Sequence, residues 1–292
     1  MNNSDYPIFL ASEIDQANPH NAGFTVLPVP FEKTVSYGSG TAKGPSAILK
    51  ASAQLETWDG ISNPSAAGIY TAPYINCSPK TKDVLDSIAG AVEKIITVDS
   101  VPVVLGGEHT VTNGVISGLI NAGIKDIGII QIDAHADLRD TYNDDPYSHA
   151  CVMRRIADLN IPIYQLGVRA ISEEEVTIRK KYNVLYQDAE ELVPDNIRAI
   201  QLPDDFPKNV FFTLDIDGID PSVFPSTGTP VPGGLSWYQT LNIFQSIAEQ
   251  RNIIGFDLME FAPIKGFHAY DFSAALLVYK LMGILHRSTT NM

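Results

Sequence analysis

The chain has 292 residues, 45% of them hydrophobic and 18% charged, with a formal net charge of −14. That length can bury a substantial core, and the acidic balance disfavours nucleic acid and anionic membrane surfaces, which both need a basic face. Two cysteines (Cys77 and Cys151), no signal-peptide pattern at the N-terminus and no run of 18 apolar residues predict a cytoplasmic protein with neither a disulfide framework nor a membrane span.

Residues 1–22 are polar and irregular, an N-terminal arm or loop. Phe24 to Pro30 reads as a first strand closed by prolines, and Ser36 to Gly40 as a flexible loop. A helix is predicted over 44–55, with Pro45 in its first turn. A short strand at 68–70 precedes a helix over 81–98, whose stripe is Val84, Leu85, Ile88, Val92, Ile95 and Ile96.

Strands are then predicted at 101–105, 127–132, 161–166, 184–186, 210–216 and 253–259. Helices are predicted at 112–122, 149–159 in part, 173–182, 188–200, 237–249 and 272–286. The strands are short and continuously apolar, hence buried on both faces. Their alternation with helices predicts an α/β fold, a three-layer α-β-α sandwich around a mostly parallel sheet, in one domain over 1–292.

The strand at 127–132 runs into Asp133-Ala134-His135-Ala136-Asp137. If the extended conformation persists, alternation puts Asp133, His135 and Asp137 on one face. Carboxylates with imidazole suit Mn, Fe or Zn, and the hard oxygens lean towards Mn without excluding Ni or Co. Three further strands end similarly, at His109, at Asp215 and Asp217, and at Glu260. Ligands of parallel sheets bind at the carboxyl ends of the strands, so all four endings are expected at one edge. Six ligands are too many for one metal with an open position, and they suit two metals sharing carboxylates and activating a water.

Gly106-Gly107-Glu108-His109-Thr110, Asp133-Ala134-His135-Ala136-Asp137 and Asp215-Ile216-Asp217-Gly218-Ile219-Asp220-Pro221, in that order, resemble the three signatures of the ureohydrolase superfamily. The chain looks like an agmatinase-like member from about Gly40 to the last helix. The resemblance implies the three-layer fold and a centre of two Mn ions per subunit, or other divalent transition metals, hydrolysing a guanidino group to urea through a bridging hydroxide. It implies one metal on His109, Asp133, Asp137 and Asp215, and the other on Asp133, His135, Asp215 and Asp217. His149 matches the proton-shuttling histidine and Glu260 the carboxylate that grips the guanidinium; both are the expected catalytic and substrate-binding residues. The partner expected is a small cationic guanidino substrate, and the assembly a homo-oligomer, trimer or hexamer.

The guanidinium carbon is poorly electrophilic and its amine leaves poorly. The reaction therefore needs a strong nucleophile, a carboxylate to orient the planar cation and an acid for the departing amine, which are roles for Glu260 and His149. Asp220 is expected to serve a turn, Glu108 to support the site, Cys151 to fill space, and Arg154 and Arg155 to form ion pairs. Asp140, Asp144 and Asp145 precede His149 and would favour a cationic tail, so agmatine, giving putrescine and urea, is the expected substrate. The segment 264–271 departs from the agmatinase pattern just after Glu260. Guanidinobutyrate, guanidinopropionate, arginine or guanidine are the alternative substrates, and a metal-dependent deacetylase or a catalytically silent metal-binding protein the competing classes.

Overall fold

The computed structural model describes residues 7–290. Eight strands form one sheet: β1 (Phe24–Val29), β2 (Ile69–Thr71), β3 (Val101–Gly106), β4 (Ile127–Ile132), β5 (Ile163–Leu166), β6 (Leu185–Gln187), β7 (Asn209–Asp215) and β8 (Asn252–Met259). Their spatial order is β2-β1-β3-β8-β7-β4-β5-β6, and every pairing is parallel. The helices are α1 (Gly44–Ser52), α2 (Thr81–Thr97), α3 (Val111–Asn121), α4 (Val152–Asp158), α5 (Glu173–Lys181), α6 (Ala189–Leu192), α7 (Trp237–Ala248) and α8 (Ala269–Thr290). None of the described helices is long and apolar enough to cross a membrane.

The apolar strands are buried on both faces because alternate side chains enter separate cores. On β7, Val210, Phe212 and Leu214 join α1, α7 and α8, while Phe211 joins α2, α3 and α4 on the other side. On β4, Ile130 and Ile132 face the first core, and Ile127 and Ile129 the second. Local sequence agrees with the helix ends. Ser172 and Glu175 close a reciprocal cap on α5, Ser236 and Gln239 one on α7, and α5 runs from Glu173–Glu175 to Arg179–Lys181 along its dipole.

Several expected boundaries shift. The helix expected over 188–200 is only α6, because Pro194 supplies no N–H and Asn196 turns left-handed at φ 49°. Gln239 Nε2 instead donates to the carbonyls of Leu192 and Ile197. The fifth strand starts at Ile163, past Pro162, and the last helix begins three residues early, at Ala269. Residues 7–22 hold no helix or strand, yet Phe9 and Leu10 are buried; residues 1–6 of the expected arm lie outside the described residues.

Chain order and sheet order diverge where it matters. β3 and β4 follow one another in sequence, but β8 and β7 lie between them in space. Pairing ranks Leu105, Leu258, Leu214 and Ile132 across the sheet, so the four segments that follow leave from one edge side by side. Close packing holds the first of these down. A Cβ on Gly107 would come within 1.9 Å of the Phe31 carbonyl oxygen, so only glycine fits there.

Phe212 is fully buried against Phe244 at 4.7 Å between ring centroids. Phe212→Ala is expected to lower unfolding free energy by ~3–5 kcal/mol in urea denaturation. An unchanged midpoint would contradict this core assignment.

Candidate metal centre

All six expected ligands converge at the carboxyl edge of β3, β7 and β4. Five of them are buried, and His135 is partly exposed. His109 Nδ1 lies 3.2 Å from Asp133 Oδ2, 3.2 Å from Asp137 Oδ2 and 3.3 Å from Asp215 Oδ2. His135 Nδ1 lies 3.1 Å from Asp217 Oδ2 and 3.6 Å from Asp133 Oδ1. Two metal-binding groups result: His109, Asp133 and Asp215, and Asp133, His135 and Asp217. Asp133 sends one oxygen into each. Asp137 stands beside the first, 3.2 Å from His109 Nδ1, and Asp215 approaches it through Oδ2 while its Oδ1 accepts from the Asp217 amide.

Asp133, His135 and Asp137 do not lie on a continued strand. β4 stops at Ile132, and the chain beyond it is held by other groups. The Ala134 carbonyl accepts from the Arg169 and Ala170 amides, and His135 makes a single bridge to Ala170. Asp137 then turns left-handed at φ 52°, and its carbonyl accepts from the amides of Met153 and Arg154 in the first turn of α4. Turning, rather than strand alternation, gathers the three side chains.

A divalent cation fits these donors. Ligands on bonds of ~2.1 Å at right angles sit ~3 Å apart, close to the spacings here. The buried Nδ1 of His109 has no hydrogen-bond partner, while its Nε2 lies 2.9 Å from Thr213 Oγ1. Thr213 Oγ1 in turn lies 3.4 Å from Thr112 Oγ1, whose own proton goes to the buried Asp257 carboxylate at 2.8 Å. With its proton directed to Thr112, Thr213 accepts from Nε2–H, and Nδ1 keeps the lone pair a metal needs. Other ligands are held as firmly. Asp133 accepts from the His135 amide at 2.7 Å and from Gln131 Nε2 at 2.7 Å, Asp217 from the Ala134 amide at 3.0 Å, and Asp215 from the Asp217 amide at 2.9 Å.

The electrostatics ask for positive charge. Burial, then repulsion from Asp133, pushes Asp137 up to about 7. Burial, Asp217 and Asp133 raise Asp215 well above the usual carboxylate range. Burial disfavours charge on the imidazoles, but the carboxylates outweigh it: His109 rises well above its ordinary value and His135 to about 12. Without cations the cluster collects protons, and divalent ions supply the same charge.

Glu260 follows β8 at φ 59°, a strained conformation for a side chain of this size. Its Oε1 accepts from the His109 amide at 2.7 Å, which leaves Oε2 for a ligand. Glu260, His149, His135, Asp137, Asp215 and Asp217 line one cavity of about 370 Å³. Val35, Ser36, Tyr37 and Gly38 from the loop after β1, Arg139 and Tyr142, Ser172 and Glu175, and Thr229 are also among its walls.

Sequence reasoning missed Thr34, Tyr37, Tyr142, Thr213 and Asp257. Asp257 ends the same apolar strand as Glu260 and was the one with a signal. The acidic loop does not act as expected. Asp140, Asp144 and Asp145 are not among the cavity walls, and Asp140 pairs with Arg155 at 2.6 Å and Arg154 at 3.6 Å. Asp220 accepts from the amides of Ser222, Gly233 and Gly234, a turn role.

The model of the Arginase family matches residues 22–283. An N(1)-aminopropylagmatine ureohydrolase of Synechocystis sp. is 39% identical over 277 residues, covering 90% of this chain and 89% of the relative. An agmatinase of Bacillus cereus is 32% identical over 249 residues, covering 82% and 83%. The crystal structure of agmatine ureohydrolase of Thermoplasma volcanium superposes with a TM-score of 0.85 at 27% identity, covering 97% of this chain and 96% of that one. With its ligand-bearing strand ends side by side and residues 22–283 matched by the family model, the chain belongs to the arginase family, as an agmatinase-like ureohydrolase acting on the C–N bonds of amidines.

Proposed function

We propose that the protein releases urea from a guanidinobutylamine, and that its preferred substrate carries an aminopropyl group on the amine. The observation that carries the hydrolase reading is Glu260. It is a buried carboxylate with one oxygen free, in the same cavity as the two metal-binding groups. His109, Asp133, Asp137, Asp215, His135 and Asp217 would hold two divalent cations, with manganese the best match to four carboxylates and two imidazoles. When bound, such a pair supplies hydroxide at neutral pH.

The chain's own residues do the rest. Burial, reinforced by Glu108, raises the proton affinity of Glu260, and an arriving guanidinium answers it with charge and paired N–H donors. The planar group is thereby fixed with its carbon open to attack. A C–O bond forms at that carbon, the C–N bond to the alkylamine breaks, and the nitrogen leaves with the electron pair and takes a proton. His149 is the group placed to carry that proton. Burial, then positive charge at His109 and His135, lowers it to about 4, so the ring enters neutral, accepts a proton from the nucleophile and returns it to the leaving nitrogen.

Support for the longer amine comes from two sides. One relative named for aminopropylagmatine is 39% identical, against 31–32% for three others so named and 29–32% for the agmatinases. The cavity is also lined by Tyr37, whose aromatic ring can meet an alkylammonium, while the face of Tyr142 is already covered by Arg139 at 5.6 Å. Agmatine, giving putrescine, is the second reading, favoured by the agmatinase relatives and the Thermoplasma structure. A cytoplasmic homo-oligomer, trimer or hexamer, with one catalytic unit per chain belongs to the same proposal.

Urea release by the manganese-loaded protein tests the substrate. We expect kcat/KM for N(1)-aminopropylagmatine to exceed that for agmatine by about tenfold, or ~1.4 kcal/mol, with arginine and guanidinobutyrate far below both. Agmatine equal or better selects the second reading, and no urea from either amine sinks the assignment. Glu260→Gln and His149→Asn should each lower kcat/KM by ~10²-fold or more with metal content unchanged. Metal affinity should rise with pH through about 7, where Asp137 loses the proton that competes with the cation. Titration calorimetry in buffers of different ionisation enthalpy should then show protons released on manganese binding; zero release would contradict the cluster's charge state.

A further inference from the structure

We propose that Thr34, held by Glu108, is a positioning residue that sets the tautomer of His149 and so aims its lone pair into the cavity. The inference rests on the reading of His149 as the proton carrier and adds the device that prepares it.

Glu108 is fully buried, one residue before the ligand His109, and is not a member of either metal-binding group. Its Oε2 accepts from the amides of Lys33 at 2.5 Å and Thr34 at 2.7 Å, and its Oε1 from the Thr34 hydroxyl at 2.8 Å. Two of those donors are backbone N–H groups, so this carboxylate acts as an acceptor, and the single hydroxyl proton of Thr34 goes to it. Towards His149 the Thr34 oxygen can then only accept. It does so twice, from the His149 amide at 3.0 Å and from Nδ1 at 3.1 Å. The Ser148 hydroxyl also faces Nδ1 but stands farther off, at 3.4 Å, so the nearer Thr34 oxygen assigns the ring proton to Nδ1 and leaves Nε2 with the lone pair.

The same contacts fix where the ring stands. The neighbouring Thr110 hydroxyl donates to the Tyr147 carbonyl at 2.9 Å, and the Tyr142 ring meets the imidazole edge-on at 5.9 Å between centroids. Three chain segments, after β1, β3 and β4, thus meet at one buried carboxylate. Without Thr34 either ring nitrogen can bear the proton. With Nε2 protonated, a neutral His149 can accept nothing from the nucleophile, and the transfer to the leaving amine has no first step.

Four variants test this in the manganese-loaded protein. Thr34→Val should lower kcat for urea release by ~10²-fold while KM and metal content change little. Thr34→Ser should restore kcat to within about threefold, since it keeps the hydroxyl. In Glu108→Gln the side-chain amide donates where the carboxylate accepted, so the hydroxyl turns to Nδ1; kcat should fall as in Thr34→Val, and the two losses should not add in the double variant. In long-range proton–nitrogen spectra of histidine-labelled metal-free protein, the His149 signal, identified by its loss in His149→Asn, should show Nδ1 protonated. Glu108→Gln should shift it to the other tautomer. If Glu108→Gln does not fold, Thr34→Val and Thr34→Ser decide alone. Parental kcat in Thr34→Val overturns the inference. If His149→Asn still loses activity, only the role of Thr34 has failed. If His149→Asn retains kcat, the proton-carrier reading fails and this inference with it.

Discussion

Four carboxylates and two imidazoles meeting in a desolvated pocket set the terms for the rest of this structure. Asp133, Asp137, Asp215 and Asp217 cannot all be ionised at these spacings unless positive charge accompanies them. Protons can supply it, and so can divalent ions. The protein is built for the second outcome, because the donors are held as donors: His109 keeps its Nδ1 lone pair through Thr213, and each of Asp133, Asp215 and Asp217 already accepts a backbone amide. A flexible cluster would relax apart under its own repulsion. This one is clamped by hydrogen bonds that do not depend on the ion.

The clamp reaches far beyond the pocket. Gln131 donates to Asp133, Gln165 donates to Gln131, and Arg179 donates to Gln165 while holding Asp188 through two bonds of 2.9 Å. Arg169 binds the carbonyls of Asp217 and Val231, tying the loop after β7 to the start of α7's approach. Buried polar chains of this kind are stabilising only when every member is satisfied, and they restrict the site to one arrangement. Two of the left-handed non-glycine residues, Asp137 and Glu260, lie in the cavity wall. Their backbone strain is sustained by the surrounding bonds and directs both carboxylates inward.

Much of this was legible in the sequence. Short, continuously apolar segments punctuated by helical stripes specify a parallel sheet with both faces covered, because no other arrangement buries every side chain of such a strand. The four strand endings, at His109, Asp133, Asp215 and Glu260, announced the site through residue type alone. Boundaries governed by a single donor were less legible. Pro194 cuts the helix expected over 188–200, and the polar chain Asp133-Ala134-His135-Ala136-Asp137 turns where alternation had it extended. The acidic loop misled for another reason: a carboxylate near a site in sequence can be spent on a neighbour, as Asp140 is on Arg155.

The sequence by itself determined which donors are available: metal-capable residues at His109, Asp133, His135, Asp137, Asp215 and Asp217, each at or just past the end of an apolar strand, with the roles proposed for Glu260 and His149 carried by the family resemblance. Tertiary structure alone decided how they combine. Sheet order places β8 and β7 between β3 and β4, so residues more than a hundred positions apart share one rank. It also decided which oxygens are free, because hydrogen bonds from Thr34, Gln131 and the His109 amide consume the others. Such bonds run between segments distant in the chain, and no local periodicity encodes them.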